Sequence, residues 1–268
     1  MPELPEVETV RKQLEQNVVG LTIHNVEQKR HLILRGDAKS LESEKNLGAR
    51  RFGKLLILDL SGGLSLAIHL KMTGRLTLLK PEEPLPEHTH VIFHLTNKER
   101  LAYSDYRRFG YIHILPTDKV NEHAFVAKLG KELLKDFTLE DLEKLCAVSK
   151  RPIKTLLLDQ EKIAGIGNIY ACESLWIAKI NPKRTANGLQ QAEIQRLFAS
   201  IEEVLKEGIA RGGASDNSYR NLFGGRGEYQ NFFKVYMREG KPCPRCQTPI
   251  QKIFLGGRGT FFCPHCQI

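Results

Sequence analysis

The sequence lacks the features that would place a protein in a membrane or outside the cell. No apolar run approaches the roughly 18–20 residues that a membrane-spanning helix requires. The N-terminus has no Lys or Arg cluster of the kind that begins a secretory signal peptide, and carries Glu3, Glu6 and Glu8 instead. We therefore expect a soluble, cytoplasmic protein without a membrane partner.

Cysteine is also scarce, with six among 268 residues. A chain of this length can bury a sizeable core without the disulfides that small scaffolds need. Four of the cysteines form two close pairs near the C-terminus, whereas Cys146 and Cys172 lie alone in sequence of helical character. This distribution argues against a disulfide-stapled scaffold and indicates metal binding in a reducing compartment.

Acidic residues are outnumbered, since 40 Lys and Arg face 31 Asp and Glu, for a net charge of +9. The imbalance is uneven: residues 1–150 carry +2 and residues 151–268 carry +7. Such an excess favours a polyanionic partner such as nucleic acid or an anionic membrane. The basic surface is expected mainly in the C-terminal part.

Hydrophobic periodicity predicts strands followed by helices. A first helix is expected from about Pro5 to Gly20, preceded by a short, reachable arm at Met1–Leu4. Strands are then predicted at 55–60, 64–70, 75–79, 90–95 and 111–115, and helices at 121–129, 139–147, 153–160, 168–178 and 190–211. This order indicates an α+β protein with a sandwich or barrel before a helical region.

The strongest motif is the pair of Cys-x-x-Cys sequences near the C-terminus. Sixteen residues separate the two pairs, which are Cys243 with Cys246 and Cys263 with Cys266. Each pair can present two thiolates to one tetrahedral Zn²⁺, and the residues between them can form a hairpin. Four thiolates close the coordination sphere, so we predict one structural zinc ion rather than a catalytic one.

Arg258 lies between these pairs in a Gly-flanked segment, Leu255-Gly-Gly-Arg-Gly-Thr260. The neighbouring glycines remove side chains around the guanidinium, which can then approach a phosphate with bidentate geometry. We expect Arg258 at the tip of the hairpin.

Motifs along the whole chain resemble bacterial formamidopyrimidine-DNA glycosylases. They occur in the family order and cover most of the length: Pro2–Val10 (PELPEVETV), His69–Gly74 (HLKMTG), Asp105–Gly110 (DYRRFG), Gly165–Tyr170 (GIGNIY) and Gly257–Gln267 (GRGTFFCPHCQ).

The resemblance implies a fold and a function. It implies an N-terminal β-sandwich catalytic domain (1–116), a helix-two-turn-helix domain with a lesion-capping loop at 212–229 (117–235), and a zinc ribbon (236–268). It also implies binding of damaged double-stranded DNA. Because no sequence feature suggests obligate assembly, we expect a monomer without an obligate protein partner. The implied reaction, in base excision repair, is excision of 8-oxoguanine and formamidopyrimidines followed by strand cleavage.

The resemblance assigns catalytic roles to Pro2, Glu3, Lys54 and Arg258. The secondary amine of Pro2 would attack the sugar C1′ and form a Schiff base, and Glu3 would act as general acid and base. Lys54 would assist β-elimination, and Arg258 would grip phosphate for δ-elimination. While Met1 is attached, the Pro2 nitrogen is an amide, so we expect the working enzyme to begin at Pro2.

Other matching residues are expected to contact DNA. Met72, Arg107 and Phe109 would fill the space that an everted nucleotide leaves. Arg107 would form hydrogen bonds with the opposite base, which has lost its pairing partner. Further contacts, mostly to phosphates, are expected from His69, His88, Lys150, Lys154 and Asn168.

Two departures from the family pattern leave alternatives open. Gly130–Leu134 (GKELL) replaces a proline-containing sequence at the domain boundary, and Ala214–Tyr229 differs from the usual capping loop. The second departure affects base preference. One alternative is an endonuclease VIII-like glycosylase for oxidised pyrimidines, although such enzymes usually have Gly in place of Leu4. Another is a non-catalytic zinc-ribbon DNA-binding protein.

Overall fold

A computed structural model describes residues 1–29, 33–216 and 218–268. Contacts divide the chain into two compact units, Met1–Ala127 with Arg211–Glu228, and Lys128–Ala210 with Tyr229–Ile268. The first unit thus includes most of the segment that the sequence places with the helical domain as a capping loop. Asn217, inside that segment, lies outside the described residues.

The first unit opens with a helix and continues almost entirely as strands. Its elements are α1 (Leu4–Asn17), β1 (Ile23–Gln28), β2 (Leu34–Arg35), β3 (Asn46–Phe52), β4 (Leu55–Leu60), β5 (Leu64–His69), β6 (Gly74–Leu79), β7 (Thr89–Leu95), β8 (Arg100–Asp105) and β9 (Tyr111–Pro116). The strands form two sheets, one in the order β1-β7-β8-β6 and the other in the order β2-β9-β5-β4-β3.

The two sheets share a core, which makes this unit a β-sandwich. Leu58 and Ile68 of one sheet and Phe93 and Tyr103 of the other belong to one cluster of buried side chains, together with Leu14 of α1. Alternation along each strand directs these residues inward. The predicted N-terminal sandwich is confirmed.

The second unit is mainly helical and ends in a hairpin. Its elements are β10 (Lys131–Glu132), α2 (Leu139–Val148), α3 (Ile153–Leu157), β11 (Ile163–Ala164), α4 (Asn168–Ile177), α5 (Gln191–Ala210), β12 (Gln251–Leu255) and β13 (Arg258–Phe262). Helix α5 packs against α2 and α4. The last two helices approach closely at Gly208, because an added Cβ would lie 2.5 Å from the ring of Tyr170.

The structure differs from the sequence prediction in several elements. Residues 121–129 do not form the predicted helix, since only short 3₁₀ turns occur at Thr117–Glu122 and Val126–Lys128. Strands β1, β3 and β8 were not predicted. In β1 the exposed residues are polar and two of them are adjacent, and in β3 the exposed residues are Leu47 and Arg50, so the apolar alternation that identifies a half-buried strand is weak.

Within the part of the chain that the structure describes, none of the helices has both the length and the apolar character needed to cross a lipid bilayer.

Candidate functional site

Pro2 and Glu3 are buried at the start of α1. Glu3 is the N-cap residue and is 4% exposed. A capping box joins it to Glu6: the Glu3 side chain accepts from the Glu6 backbone N–H, and Glu6 Oε2 accepts from the Glu3 backbone N–H at 2.7 Å. The expectation of a reachable arm at Met1–Leu4 is therefore wrong, because burial and the capping box fix Pro2–Leu4.

Glu6 also reaches a distant part of the first unit, which no sequence pattern indicated. Its side chain is almost fully buried, and Oε1 accepts from the Ala214 backbone N–H at 2.7 Å. An acidic residue in the first turn of a helix is ordinarily explained by the helix dipole. Here the carboxylate connects the Pro2–Glu3 segment to the segment Arg211–Glu228.

Lys54 and His69 lie close to each other at the ends of adjacent strands. Lys54 follows Gly53 in the tight turn between β3 and β4 and is 5% exposed. His69 ends β5, and burial together with the positive charges of Lys71, Lys54 and His123 lowers its pKa to about 3. The Lys71 backbone N–H donates to His69 Nδ1 at 3.0 Å, which leaves the proton of the neutral ring on Nε2. His69 can therefore offer an N–H to a phosphate, but not a positive charge.

Met72, Arg107 and Phe109 form one exposed cluster. Arg107 Nη1 lies 3.2 Å from Met72 Sδ, and its guanidinium lies 4.5 Å from the centroid of the Phe109 ring. Met72 and Phe109 are 40% and 54% exposed. Two large apolar side chains thus flank a cation at the surface of the first unit.

Asp105 organises the two loops that carry this cluster. It is 1% exposed and accepts from the hydroxyl of Thr73, from the Arg107 backbone N–H at 3.2 Å, and from the Gly110 backbone N–H at 2.8 Å. These bonds join the turn after β5 to the turn after β8. Sequence reasoning placed Asp105 in a motif but assigned it no role.

His88 lies beside the turn after β8, because its carbonyl accepts from the Asp105 backbone N–H at 3.1 Å. It is exposed, has a left-handed backbone (φ 58°), and its ring lies 6.0 Å from that of the exposed Tyr106. A contact between His88 and DNA stays a prediction.

In the second unit, Lys154 and Asn168 bind the hairpin that carries Arg258. Lys154 is fully buried, and its Nζ donates to Asn168 Oδ1 at 2.7 Å and to Thr260 Oγ1 at 2.6 Å. Asn168 Nδ2 donates to the Gly259 carbonyl at 2.9 Å. Lys154 therefore acts here through its neighbours, and a direct contact between its amine and a phosphate stays a prediction.

Arg258 and Lys150 are both exposed in this unit. Arg258 follows the turn of Gly256 and Gly257, which both have positive φ. It begins β13, and its carbonyl accepts from the Thr260 hydroxyl at 3.1 Å. The bonds from Lys154 and Asn168 thus hold the strand that positions the guanidinium.

The four C-terminal cysteines form a metal-binding cluster. Their Sγ atoms all lie within 4.8 Å of one another, with 3.5 Å between Cys246 and Cys263 and 4.0 Å between Cys243 and Cys266. A disulfide needs about 2.05 Å, whereas Zn–S bonds of about 2.3 Å in a tetrahedron place sulfurs about 3.8 Å apart. The residues therefore fit one Zn²⁺.

Trp176 lies against this cluster. Its indole N–H points to Cys243 Sγ at 3.4 Å, and the Arg245 guanidinium lies 4.1 Å from its ring. An N–H donor and a nearby cation both favour thiolate, the form that binds metal.

Comparison with known proteins gives the family. Models of the formamidopyrimidine-DNA glycosylase N-terminal domain, its H2TH domain and the zinc finger found in FPG and IleRS match residues 1–112, 129–219 and 240–268. A formamidopyrimidine-DNA glycosylase of Pelotomaculum thermopropionicum is 45% identical over 273 residues, covering 100% of this chain and 99% of the relative. This chain belongs to the formamidopyrimidine-DNA glycosylase family. It is therefore a DNA glycosylase of base excision repair, and the structural zinc is part of the family's zinc finger.

Solved structures of family members have the same fold. A mutant Lactococcus lactis Fpg in complex with Fapy-dG-containing DNA has a TM-score of 0.92 at 38% identity, with 99% of each chain covered. MutM in complex with DNA containing carbocyclic 8-oxo-G has a TM-score of 0.91 at 38% identity and the same coverage. A Cytobacillus firmus formamidopyrimidine-DNA glycosylase is 42% identical over 275 residues, with both chains covered completely.

The departure from the family pattern at Gly130–Leu134 lies in a compact turn of the second unit. Lys131 and Glu132 form β10, which pairs with β11. Gly130 lies against the backbone segment that leads into β11, because an added Cβ would overlap the carbonyl group of Lys162. The replacement of the usual prolines thus affects a local connection.

Proposed function

We propose that this glycosylase removes oxidised purines, 8-oxoguanine and formamidopyrimidines, from double-stranded DNA and then cleaves the strand by β,δ-elimination. The proposal assigns the nucleophile to Pro2, proton transfer to Glu3, and assistance in the eliminations to Lys54 and Arg258. It takes the enzyme to act as a monomer, with functional domains 1–116, 117–235 and 236–268.

The Pro2 amine explains how one residue can serve both base excision and strand cleavage. Its lone pair attacks C1′, the bond between C1′ and the base breaks, and the base leaves with that electron pair and gains a proton. Loss of the remaining N–H proton and opening of the sugar ring give an iminium at Pro2. The iminium acidifies the C2′ hydrogen, so loss of that proton expels the 3′ phosphate, and a second elimination expels the 5′ phosphate. Water then hydrolyses the imine and releases Pro2.

Glu3 and Lys54 supply proton chemistry in this scheme. Both side chains are buried, at 4% and 5% exposure. A carboxyl group beside the nucleophile can protonate the ring oxygen of the sugar as the ring opens. In its neutral form, the amine of Lys54 can take the C2′ proton.

The observation that carries the proposal is the exposed cluster of Met72, Arg107 and Phe109. Everting a nucleotide costs a few kcal/mol of stacking and pairing, and apolar side chains inserted into the gap offset part of that cost. An arginine held between them can donate hydrogen bonds to the base that has lost its partner. This arrangement favours the purine-directed activity over the endonuclease VIII-like alternative, whose members generally lack the full trio.

DNA is the proposed partner for two reasons. The related Fpg and MutM structures are complexes with damaged DNA. The excess of positive charge in this chain, +9 overall, would bind phosphates through Arg258 and Lys150. His69 and His88 would add hydrogen bonds to the same phosphates.

Borohydride trapping tests the nucleophile. Protein that begins at Pro2 is incubated with a duplex containing 8-oxoguanine opposite cytosine, and borohydride then reduces the iminium to a stable adduct. Peptide mapping should place the adduct on Pro2. The matched control is the same sequence with an uncleaved N-terminal extension. Its Pro2 nitrogen is part of a peptide bond, so this protein should give no adduct. An adduct in the extended protein, or on a lysine, would overturn the assignment.

A second duplex ranks the substrates. It carries an oxidised pyrimidine in place of 8-oxoguanine, and single-turnover excision rates are compared. We expect faster excision of the purine lesion, whereas a clear preference for the pyrimidine would make the endonuclease VIII-like alternative correct. A relative, Lactococcus lactis Fpg, has been crystallised with DNA that contains an oxidised pyrimidine, so the comparison needs rates rather than binding alone.

A further inference from the structure

The segment Arg211–Glu228 of the first unit, here called the loop segment, is anchored in the core of that unit. Tyr219 and Leu222 are 5% and 0% exposed and belong to the same buried cluster as Leu14 of α1. The Leu222 backbone N–H donates to Gln13 Oε1 at 2.9 Å. Two buried anchors and a bond to the first helix thus fix the middle of the loop segment.

The loop segment also runs along a sheet edge. Strand β6 is the last strand in the order β1-β7-β8-β6. The Leu78 backbone N–H of β6 donates to the Leu222 carbonyl at 2.8 Å. At the other end, the Ser218 hydroxyl donates to the Met72 carbonyl at 2.6 Å, just before β6 begins. The loop segment therefore follows the strand from Met72 to Leu78.

Ser218 contacts the residue that is proposed to enter the DNA. The turn around Met72 is otherwise held by nearby groups, such as the Gly74 N–H on the Leu70 carbonyl at 2.9 Å and the Thr73 hydroxyl on Asp105. The bond from Ser218 comes from a residue 146 positions away in the sequence. It makes the position of the Met72 backbone depend on the loop segment.

The other end of the same segment contacts Glu6, whose side chain also holds Glu3, the residue next to the proposed nucleophile. The Ala214 backbone N–H donates to Glu6 Oε1, and Glu6 Oε2 accepts from the Glu3 backbone N–H, both at 2.7 Å. The Tyr219 hydroxyl lies 3.4 Å from the Glu6 carbonyl oxygen. Gly213 approaches Glu6 so closely that an added Cβ would lie 2.8 Å from its Cγ.

We propose that Ser218 is a positioning residue that couples insertion of Met72 into DNA to the placement of the Pro2–Glu3 segment. The coupling runs from the Met72 carbonyl through Ser218 and the buried Tyr219 to Glu6 and Glu3. The loop segment then does more than cover an everted base: it ties the step that opens the duplex to the step that attacks the sugar. This inference rests on the proposed function.

The test compares Ser218→Ala with two other variants. Ser218→Thr keeps the hydroxyl, and Ser40→Ala removes an exposed hydroxyl of the same unit that donates to a backbone carbonyl, that of Asp37, at 2.7 Å. Insertion is followed by the fluorescence of 2-aminopurine beside the orphaned cytosine, and excision is followed in single turnovers. A neutral hydrogen bond of ordinary strength corresponds to a change of roughly two- to tenfold.

We expect Ser218→Ala to slow both insertion and excision within that range while KM changes little, and we expect Ser218→Thr to restore both rates. Ser40→Ala should behave as the wild type. If Ser218→Ala matches Ser40→Ala in both steps, Ser218 has no positioning role.

A double-mutant cycle with Met72→Ala separates coupling from general destabilisation. If Ser218 acts through Met72, the Ser218→Ala change should have little further effect on excision in the Met72→Ala background. An equal slowing in both backgrounds would show a merely structural role and overturn the inference. If the wild type itself forms no borohydride adduct, the proposed function fails; if it does and the cycle shows no coupling, the inference about Ser218 fails alone.

Discussion

Removal of one zinc ligand should unfold the C-terminal hairpin and leave the N-terminal sandwich folded. The perturbation is Cys246→Ala, because Cys246 is one of the four clustered thiols and is only half-buried. The matched control is Cys146→Ala, which also replaces a single cysteine but lies on α2, outside the cluster.

The expected magnitude follows from the small core around the metal. Trp176, Val235, Ile250 and Phe261 bury their side chains with the cysteines in one cluster, and a two-stranded hairpin such as β12–β13 is at best marginally stable alone. Structural zinc contributes about 10–16 kcal/mol to zinc-finger peptides. Loss of one ligand in four should therefore cost about 3 kcal/mol, or roughly two orders of magnitude in Kd for zinc.

The assay uses Trp176, which is the one tryptophan of the sequence. It is 7% exposed, and its contacts with Cys243 and Arg245 depend on the folded hairpin. A competing chelator should shift its emission to the red at a far lower concentration in Cys246→Ala than in the wild type or in Cys146→Ala. Retention of one zinc per chain with unchanged affinity in Cys246→Ala, or equal loss in the control, would refute the four-cysteine site.

Four further outcomes can be measured. Gly110→Ala should destabilise the first unit by about 1–3 kcal/mol in urea unfolding, because the added Cβ would overlap Tyr103 Oη and lie 2.7 Å from the His69 carbonyl oxygen; an unchanged midpoint would contradict this contact. Lys154→Met should cost about 1–3 kcal/mol, because Asn168 and Thr260 lose a buried donor, whereas Lys150→Met on the surface should leave stability within about 0.5 kcal/mol. The folded-state pKa of His69 is about 3, below its usual 6.5. The contribution of its neutral ring to the free energy of unfolding is therefore complete above pH 6.5 and is lost as the pH falls from 6.5 toward 3. His69→Asn should flatten this pH dependence in chemical denaturation. DNA affinity should fall steeply as salt rises, with a linear plot of log K against log salt, and an affinity independent of salt would contradict the phosphate contacts.

The sequence predicted those parts of the site that consist of residues close together in the chain. The spacing of Cys243, Cys246, Cys263 and Cys266 indicates zinc by itself, because each pair presents two thiolates from one turn. The adjacent glycines at 256 and 257 likewise indicate by themselves the turn that precedes Arg258. Local chemistry was sufficient in both cases.

Contacts between distant residues could not be predicted in this way. Lys154 has the sequence pattern of a surface lysine on a short helix, yet it is fully buried and bonded to Thr260, 106 residues away. His69 and Lys54 come together because β4 and β5 pair. The helix predicted at 121–129 is replaced by 3₁₀ turns in a region where Phe125 packs edge-on against His69, 4.8 Å between ring centroids. Tertiary packing overrides the local helical pattern there.

Glu6 shows why the unusual loop sequence affects more than base preference. Its two oxygens accept from the N–H groups of Glu3 and Ala214, which are far apart in the sequence. A carboxylate suits two donors, whereas a glutamine would place its own N–H₂ against one of them. Because Glu6 is buried, that mismatch would not be relieved by water. Any change that moves Ala214 must therefore move Glu6 or break a buried bond, and the Pro2–Glu3 segment is held by the same carboxylate. Variation in the loop segment is consequently expected to act on the placement of the proposed nucleophile as well as on base preference.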